Sequence, residues 1–244
     1  MYFPESYIRV NRVQRNDFAK TLSKLSLSWC EEECDVLDVG CGTADVTRHV
    51  LRPSLKCKNP RIVGIDVSQA MVDYARTSCT DELKFHLMNI ATYEDPRLLR
   101  AVKNMYELLK PNGVIFLLFN TRAMTFSAEK KVINKQKWSK YLKGAPIATW
   151  PYEESKNPTE ELKQIMEVAG FTVLTCEVSK KLIVFPTGDD LKDFQASVTP
   201  YQKIIPAEKM NEFMMEIVDE LKFTEQNDGT YHIEYETIEV FARK

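Results

Sequence analysis

Residues 34–44 read Cys34-Asp35-Val36-Leu37-Asp38-Val39-Gly40-Cys41-Gly42-Thr43-Ala44. A short β-branched run that ends in an acid and a Gly-x-Gly turn predicts a buried strand over 34–39, a tight turn, and then a helix carrying Val46 and Val50. The chain has only eight glycines, so two of them in one turn need a reason. Glycine there lets backbone approach a ligand and leaves the N–H groups of the next helix free. Asp66 follows at the end of a second strand (61–67), where a carboxylate can accept both hydroxyls of a ribose. The pair describes a nucleoside site at the carboxyl edge of a parallel sheet.

The third glycine of a dinucleotide fingerprint is replaced by the Ala44 stretch. Asp38 sits inside the turn, where its charge would repel a pyrophosphate and suit an ammonium-bearing or sulfonium ligand. S-adenosylmethionine carries both cations and no phosphate. The plainer alternative is an ordinary tight turn with Asp38 and Asp66 capping helices. It accounts for a glycine pair but not for the order strand, acid, turn, helix, strand, acid.

Around this core the chain spells out alternating elements. Asn16-Asp17 cap a helix over 17–27 with Phe18, Leu22 and Leu25 on one face, Ser68 caps a helix bearing Met71, Val72 and Ala75, and 83–90 forms a third strand. Residues 97–110 form an amphipathic helix stopped by Pro111-Asn112-Gly113, and 114–119 form a strand. Farther on, Asn157, Pro158 and Glu160 open a helix that Gly170 ends. Residues 171–185 have strand composition broken at Ser179-Lys180-Lys181, 206–221 form a helix, and 231–242 close as a strand. The fold class expected is α/β, a Rossmann-like, mostly parallel sheet with an antiparallel C-terminal strand, in one domain over 1–244.

Composition narrows the partners. The 244 residues are 44% hydrophobic and 28% charged, and 33 basic against 35 acidic residues give a net charge of −2. That excludes a disordered chain and offers no basic field for nucleic acid or anionic lipid. No leader and no membrane span are expected, so the protein reads as soluble and cytoplasmic. The six cysteines show no C-x-x-C pair and are expected to stay reduced, and three scattered histidines give no metal site. A homodimer is left open.

At the quoted residues the chain resembles the class I S-adenosylmethionine-dependent methyltransferases, through the 35–44 motif, Asp66-Val67-Ser68 and Leu109-Lys110-Pro111-Asn112-Gly113. The resemblance narrows to the insect juvenile hormone acid methyltransferases through Asn11-x-x-Gln14-x-x-Asp17, Gly64-Ile65-Asp66-Val67-Ser68 with Met71-Val72, and Tyr106-Glu107-Leu108-Leu109-Lys110-Pro111. It implies that Asp38, Gly40 and Gly42 meet the amino-acid end of S-adenosylmethionine, Asp66 its ribose, Val67 its adenine, and Asn89 and Ile90 the adenine edge. It implies that Gln14 donates to the carboxylate of a sesquiterpenoid acid, farnesoic or juvenile hormone acid. S-adenosylhomocysteine would be the second product, with no metal involved. Another small carboxylic acid, or a cofactor- or hormone-acid-binding relative with little transfer, stays open as an alternative.

Two departures bear on the site. Asparagine at 89 replaces the usual aspartate and keeps an acceptor oxygen, and Ala44 replaces a glycine where a methyl is expected to weaken affinity slightly. In the resembled fold a strand lies between the first and the fifth. Here Ile90 passes through Ala91–Pro96 directly into the helix, so a helix-plus-strand unit is expected to be absent near Asp95–Arg97. Trp138, Tyr141, Trp150, Phe185, Phe213, Met214 and Met215 offer apolar surface for an isoprenoid chain, or plain core.

Overall fold

The computed structural model describes residues 4–24, 33–77, 79–90, 98–122, 124–143, 152, 155–201, 204–221 and 223–244. The chain divides into two compact units, Met1–Ile90 and Ala91–Lys244.

In the first unit, helices α1 (Pro4–Val10) and α2 (Arg12–Lys24) precede β1 (Glu33–Val39). After the glycine turn comes a π-helical segment, Thr47–Leu51, that runs into a single turn, α3 (Arg52–Ser54). Strand β2 (Asn59–Asp66), helix α4 (Gln69–Arg76) and strand β3 (Leu83–Leu87) complete the unit. The sheet is parallel with order β1-β2-β3, in registers such as Asp38 opposite Gly64 and Asp66 opposite Leu87. This is the βαβ order that the sequence predicts. Central β2 buries Ile62 and Ile65 at 1% and 2% exposure. Ile62 serves a core that Leu51, Leu55, Val72, Ala75, Leu83 and Phe85 help to fill.

Three expectations for this unit need correction. Strand β1 is half-buried rather than buried: Leu37 and Val39 stay 40% and 39% exposed, because β2 is its one described strand neighbour and only Cys34 and Val36 pack on the core. The N-terminal helix starts at Arg12, so Asn16 and Asp17 lie inside it rather than capping it. Cys34 and Cys57 do not stay reduced. They form a disulfide with Cα atoms 6.2 Å apart, since Cys57 enters β2 beside the start of β1.

In the second unit, α5 (Leu98–Leu108) leads to β4 (Val114–Arg122), then to α6 (Met124–Ile133), α7 (Gln136–Ser139) and α8 (Pro158–Val168). Strand β5 (Thr172–Phe185), helices α9 (Gly188–Val198) and α10 (Ala207–Glu220), the short β6 (Thr224–Glu225) and β7 (Tyr231–Arg243) follow. The sheet here is antiparallel, β4-β7-β5, with the C-terminal strand at its centre. Ile238, Val240 and Ala242 of β7 pack with Val102 of α5 and with Leu162 and Met166 of α8. Spacing in the sequence had not resolved α6, α7 or α9.

Two local expectations fail in this unit. Strand β5 runs unbroken through Ser179-Lys180-Lys181, because Lys181 Nζ lies 3.0 Å from Glu239 Oε1 on β7 and its charge is carried within the sheet. Asn157 takes the N-cap position of α8 without a side-chain cap. Instead its N–H donates to Ser155 Oγ at 3.1 Å, and Ser155 donates to Glu161 at 2.7 Å. The junction at 91–97, where a unit is expected to be absent, lies outside the described residues.

Candidate active site

The carboxyl ends of β1 and β2 bring Asp38 and Asp66 onto adjacent strands. Between them the turn is built by backbone: the N–H groups of Gly40 and Cys41 both donate to Ile65 O, at 2.8 and 3.0 Å. Gly40 and Gly42 adopt φ of +79° and +54°, left-handed values that glycine takes without strain. A Cβ built on Gly40 would meet nothing within 4 Å, so space lies open in front of the turn.

Asp66 uses both carboxylate oxygens. Gly42 N–H donates to Oδ2 at 2.9 Å and Ser68 N–H to Oδ1 at 2.8 Å, so one side chain clamps the glycine turn to the start of α4. Asp66 braces the approach to α4 without capping it, since the N–H it binds belongs to the N-cap residue Ser68 and not to the helix's first turn, and each oxygen keeps a second lone pair for another donor. Asp38 Oδ2 accepts from Thr47 Oγ1 at 2.5 Å. Burial pushes the Asp38 carboxyl above its ordinary range, the Thr47 hydrogen bond opposes that, and the Asp66 charge adds to it. A cation placed beside these two carboxylates would relieve both the burial and the repulsion.

The remaining expected residues fall as follows. Val67 is 67% exposed just beyond β2, a flat apolar surface open to a ring. Asn89 is exposed and Ile90 half-buried beyond β3. Gln14 lies in α2 with its side chain outside the described residues. Ala44 takes φ of +62° and is fully buried among core side chains, so its methyl joins the core. Cys41 is buried, and burial pushes its thiol up to about 12. In the other unit Trp138, Phe213, Met214 and Phe185 are buried core, with the Trp138 and Phe213 rings 5.0 Å apart. Met215 is 50% exposed, and Trp150 lies outside the described residues.

Sequence reasoning missed Thr47 and Thr43, whose buried hydroxyl has no hydrogen-bond partner among the described residues. It missed Asp45 and Tyr7 as well. Only a helical wheel drawn on the π-segment would have shown Thr47 facing Asp38. An open cradle at Gly40, an orphan hydroxyl at Thr43 and two adjacent acids with no ion pair among the described residues fit the cationic, phosphate-free S-adenosylmethionine. Among the described residues no helix is long and apolar enough to cross a membrane.

A methyltransferase-domain family model matches residues 36–96, the segment that holds this turn. The fold is shared with the cyclopropane synthase MmaA2 of Mycobacterium tuberculosis, at a TM-score of 0.55 and 14% identity over 95% of this chain and 84% of that one. The chain is a class I S-adenosylmethionine-dependent methyltransferase. Within that class it is similar to the juvenile hormone acid O-methyltransferase of Bombyx mori, 26% identical over 98% of this chain and 96% of that protein. The Drosophila melanogaster enzyme of the same name is 26% identical over 98% of this chain and 91% of its own. The Bombyx alignment spans 269 positions against the 244 residues here, so stretches of the relative have no counterpart in this chain.

Proposed function

We propose that the enzyme esterifies the carboxylate of a sesquiterpenoid acid, farnesoic or juvenile hormone acid, and so serves juvenile hormone biosynthesis. The near-full-length likeness to two juvenile hormone acid O-methyltransferases carries the reading. Bound S-adenosylmethionine supplies an electrophilic methyl on a sulfonium. Asp38 accepts from its amino group and Gly40 and Gly42 give it room, while Asp66 accepts from the ribose. Val67 lies along the adenine, and Asn89 and Ile90 flank its edge. The acid arrives ionised, since carboxyl pKa values lie near ~4, so no general base is needed.

Gln14 stands within the Asn11-x-x-Gln14-x-x-Asp17 pattern of the resembled family. That spacing supports Gln14 as the group that orients the acid. A neutral amide holds a carboxylate without over-stabilising the charged ground state. The expected result is methyl ester formed from farnesoic acid and little from short dicarboxylates, with Gln14→Ala lowering turnover at unchanged cofactor affinity and Asp38→Ala abolishing cofactor binding. A preference for the dicarboxylates assigns another small acid. The alignment positions missing from this chain favour a second reading, a binding relative with little transfer. Calorimetric binding of S-adenosylhomocysteine without any ester would establish it.

A further inference from the structure

Asn11 and Asp45 are withdrawn from water, at 1% and 5% exposure, and neither is among the residues expected to touch the cofactor or the acid. Asn11 Nδ2 donates to Asp45 Oδ2 at 3.1 Å across 34 residues of chain. Arg15 Nε reaches the same oxygen at 3.3 Å, and His49 Nε2 lies 3.7 Å from Oδ1. Asp45 directly follows Ala44, so this bond joins the N-terminal helices to the end of the glycine turn. Asn11 stands at the junction of α1 and α2. Its own N–H donates to Tyr7 O at 2.9 Å, and its carbonyl accepts from Arg15 N at 3.1 Å. Whatever fixes Asn11 therefore fixes Tyr7, one helical turn earlier.

Tyr7 is where the cofactor's crevice meets α1. A Cβ built on Gly42 would stand 3.8 Å from Tyr7 Cε1, so the ring lies against the turn. Burial and the charges of Asp45, Asp66 and Asp38 push the phenol up to about 12, which keeps it a neutral donor beside those carboxylates. An aromatic ring with a polar tip suits a wall that is apolar toward a sulfonium and polar toward an amino acid.

We propose that Asn11 is a positioning residue: through its bond to Asp45 it latches α1 and α2 onto the glycine turn and holds the ring of Tyr7 as a wall of the S-adenosylmethionine crevice. The latch concerns the cofactor and holds whichever acid is methylated. Calorimetric titration of the full chain with S-adenosylhomocysteine tests it, alongside limited trypsin digestion at Arg15 and Lys20 with and without that ligand. Asn11→Ala should weaken binding about tenfold, as loss of a buried hydrogen bond to a charged group does. It should also lose the protection from trypsin that the ligand gives the wild type.

The double variant Asn11→Asp with Asp45→Asn rebuilds the bond with donor and acceptor exchanged and should recover both readouts. Wild-type affinity in Asn11→Ala, or a double variant no better than either single one, overturns the proposal. Should Asn11→Ala not melt cooperatively, Tyr7→Ala decides, because it leaves the Asn11 bond in place. A comparable loss of affinity supports the latch, and undiminished affinity overturns it.

Discussion

A single methyl group at residue 44 illustrates how two small terms compete. Holding alanine at φ +62° costs about 1 kcal/mol more than glycine. Burying its methyl in the core returns about 0.8 kcal/mol. The terms nearly cancel, so Ala44→Gly should shift the melting temperature by no more than about 2 °C, and because the methyl faces the core it should leave S-adenosylhomocysteine affinity unchanged. A rise in affinity would show the methyl facing the ligand, as the sequence leads one to expect. Gly42→Ala differs: φ is +54° there and the methyl would touch only the edge of the Tyr7 ring, at 3.8 Å, so a loss of about 1 kcal/mol in denaturant melts is expected.

At the scale of elements, the end of α5 depends on the last residue of the chain. Lys244 Nζ donates to Tyr106 O and Leu109 O, both at 2.7 Å, and lies 4.6 Å from the centre of the Tyr106 ring. It thereby satisfies carbonyls that a helix terminus leaves open and places a cation at the negative end of its dipole. Lys244→Met should cost about 1–2 kcal/mol, with the loss of amide protection confined to residues 105–110 in hydrogen exchange. The sequence made the parallel strands and the motif-bearing turn legible because their signals are local: apolar runs, glycines and acids at fixed spacing. What it hid were contacts across distance. The disulfide of Cys34 and Cys57 depends on strands placed side by side, and the continuity of β5 depends on the Glu239 carboxylate of β7 coming within reach of the Lys181 ammonium. The Asn11 contact with Asp45 belongs to the same group. Helices α6 and α7 were illegible because they are short and carry lysines that pair with another helix, as Lys131 does with Glu220 and Lys137 with Glu212.

For the molecule as a whole, acidity and redox state set stability. Glu129 of α6 is 3% exposed and accepts from Gln195 Nε2 at 2.7 Å. Burial pushes its carboxyl up to about 7, against the opposing pull of Thr199 and Gln195. The folded chain therefore holds a proton there that the unfolded chain has already released above about pH 4.5, so this stabilisation is full below that pH and is lost as pH rises through 7. Denaturant melts should lose on the order of 3 kcal/mol between pH 5 and 8, and Glu129→Gln should flatten the profile. A profile equally steep in the variant assigns the slope to other groups. Reduction should release two further thiols and lower stability by about 3 kcal/mol, as expected for a loop closed over a separation of 23 residues.

The double engagement of Asp66 carries a lesson for anyone dissecting this enzyme by mutagenesis. Because the two oxygens that are mortar between neighbouring loops are also the ones proposed to receive a sugar, truncating the side chain would collapse the vessel along with its contents. A dead Asp66→Ala protein would then say nothing about recognition. Informative experiments leave that keystone in place and alter the nucleoside instead, for instance by offering a 2′-deoxy analogue to the unmodified enzyme.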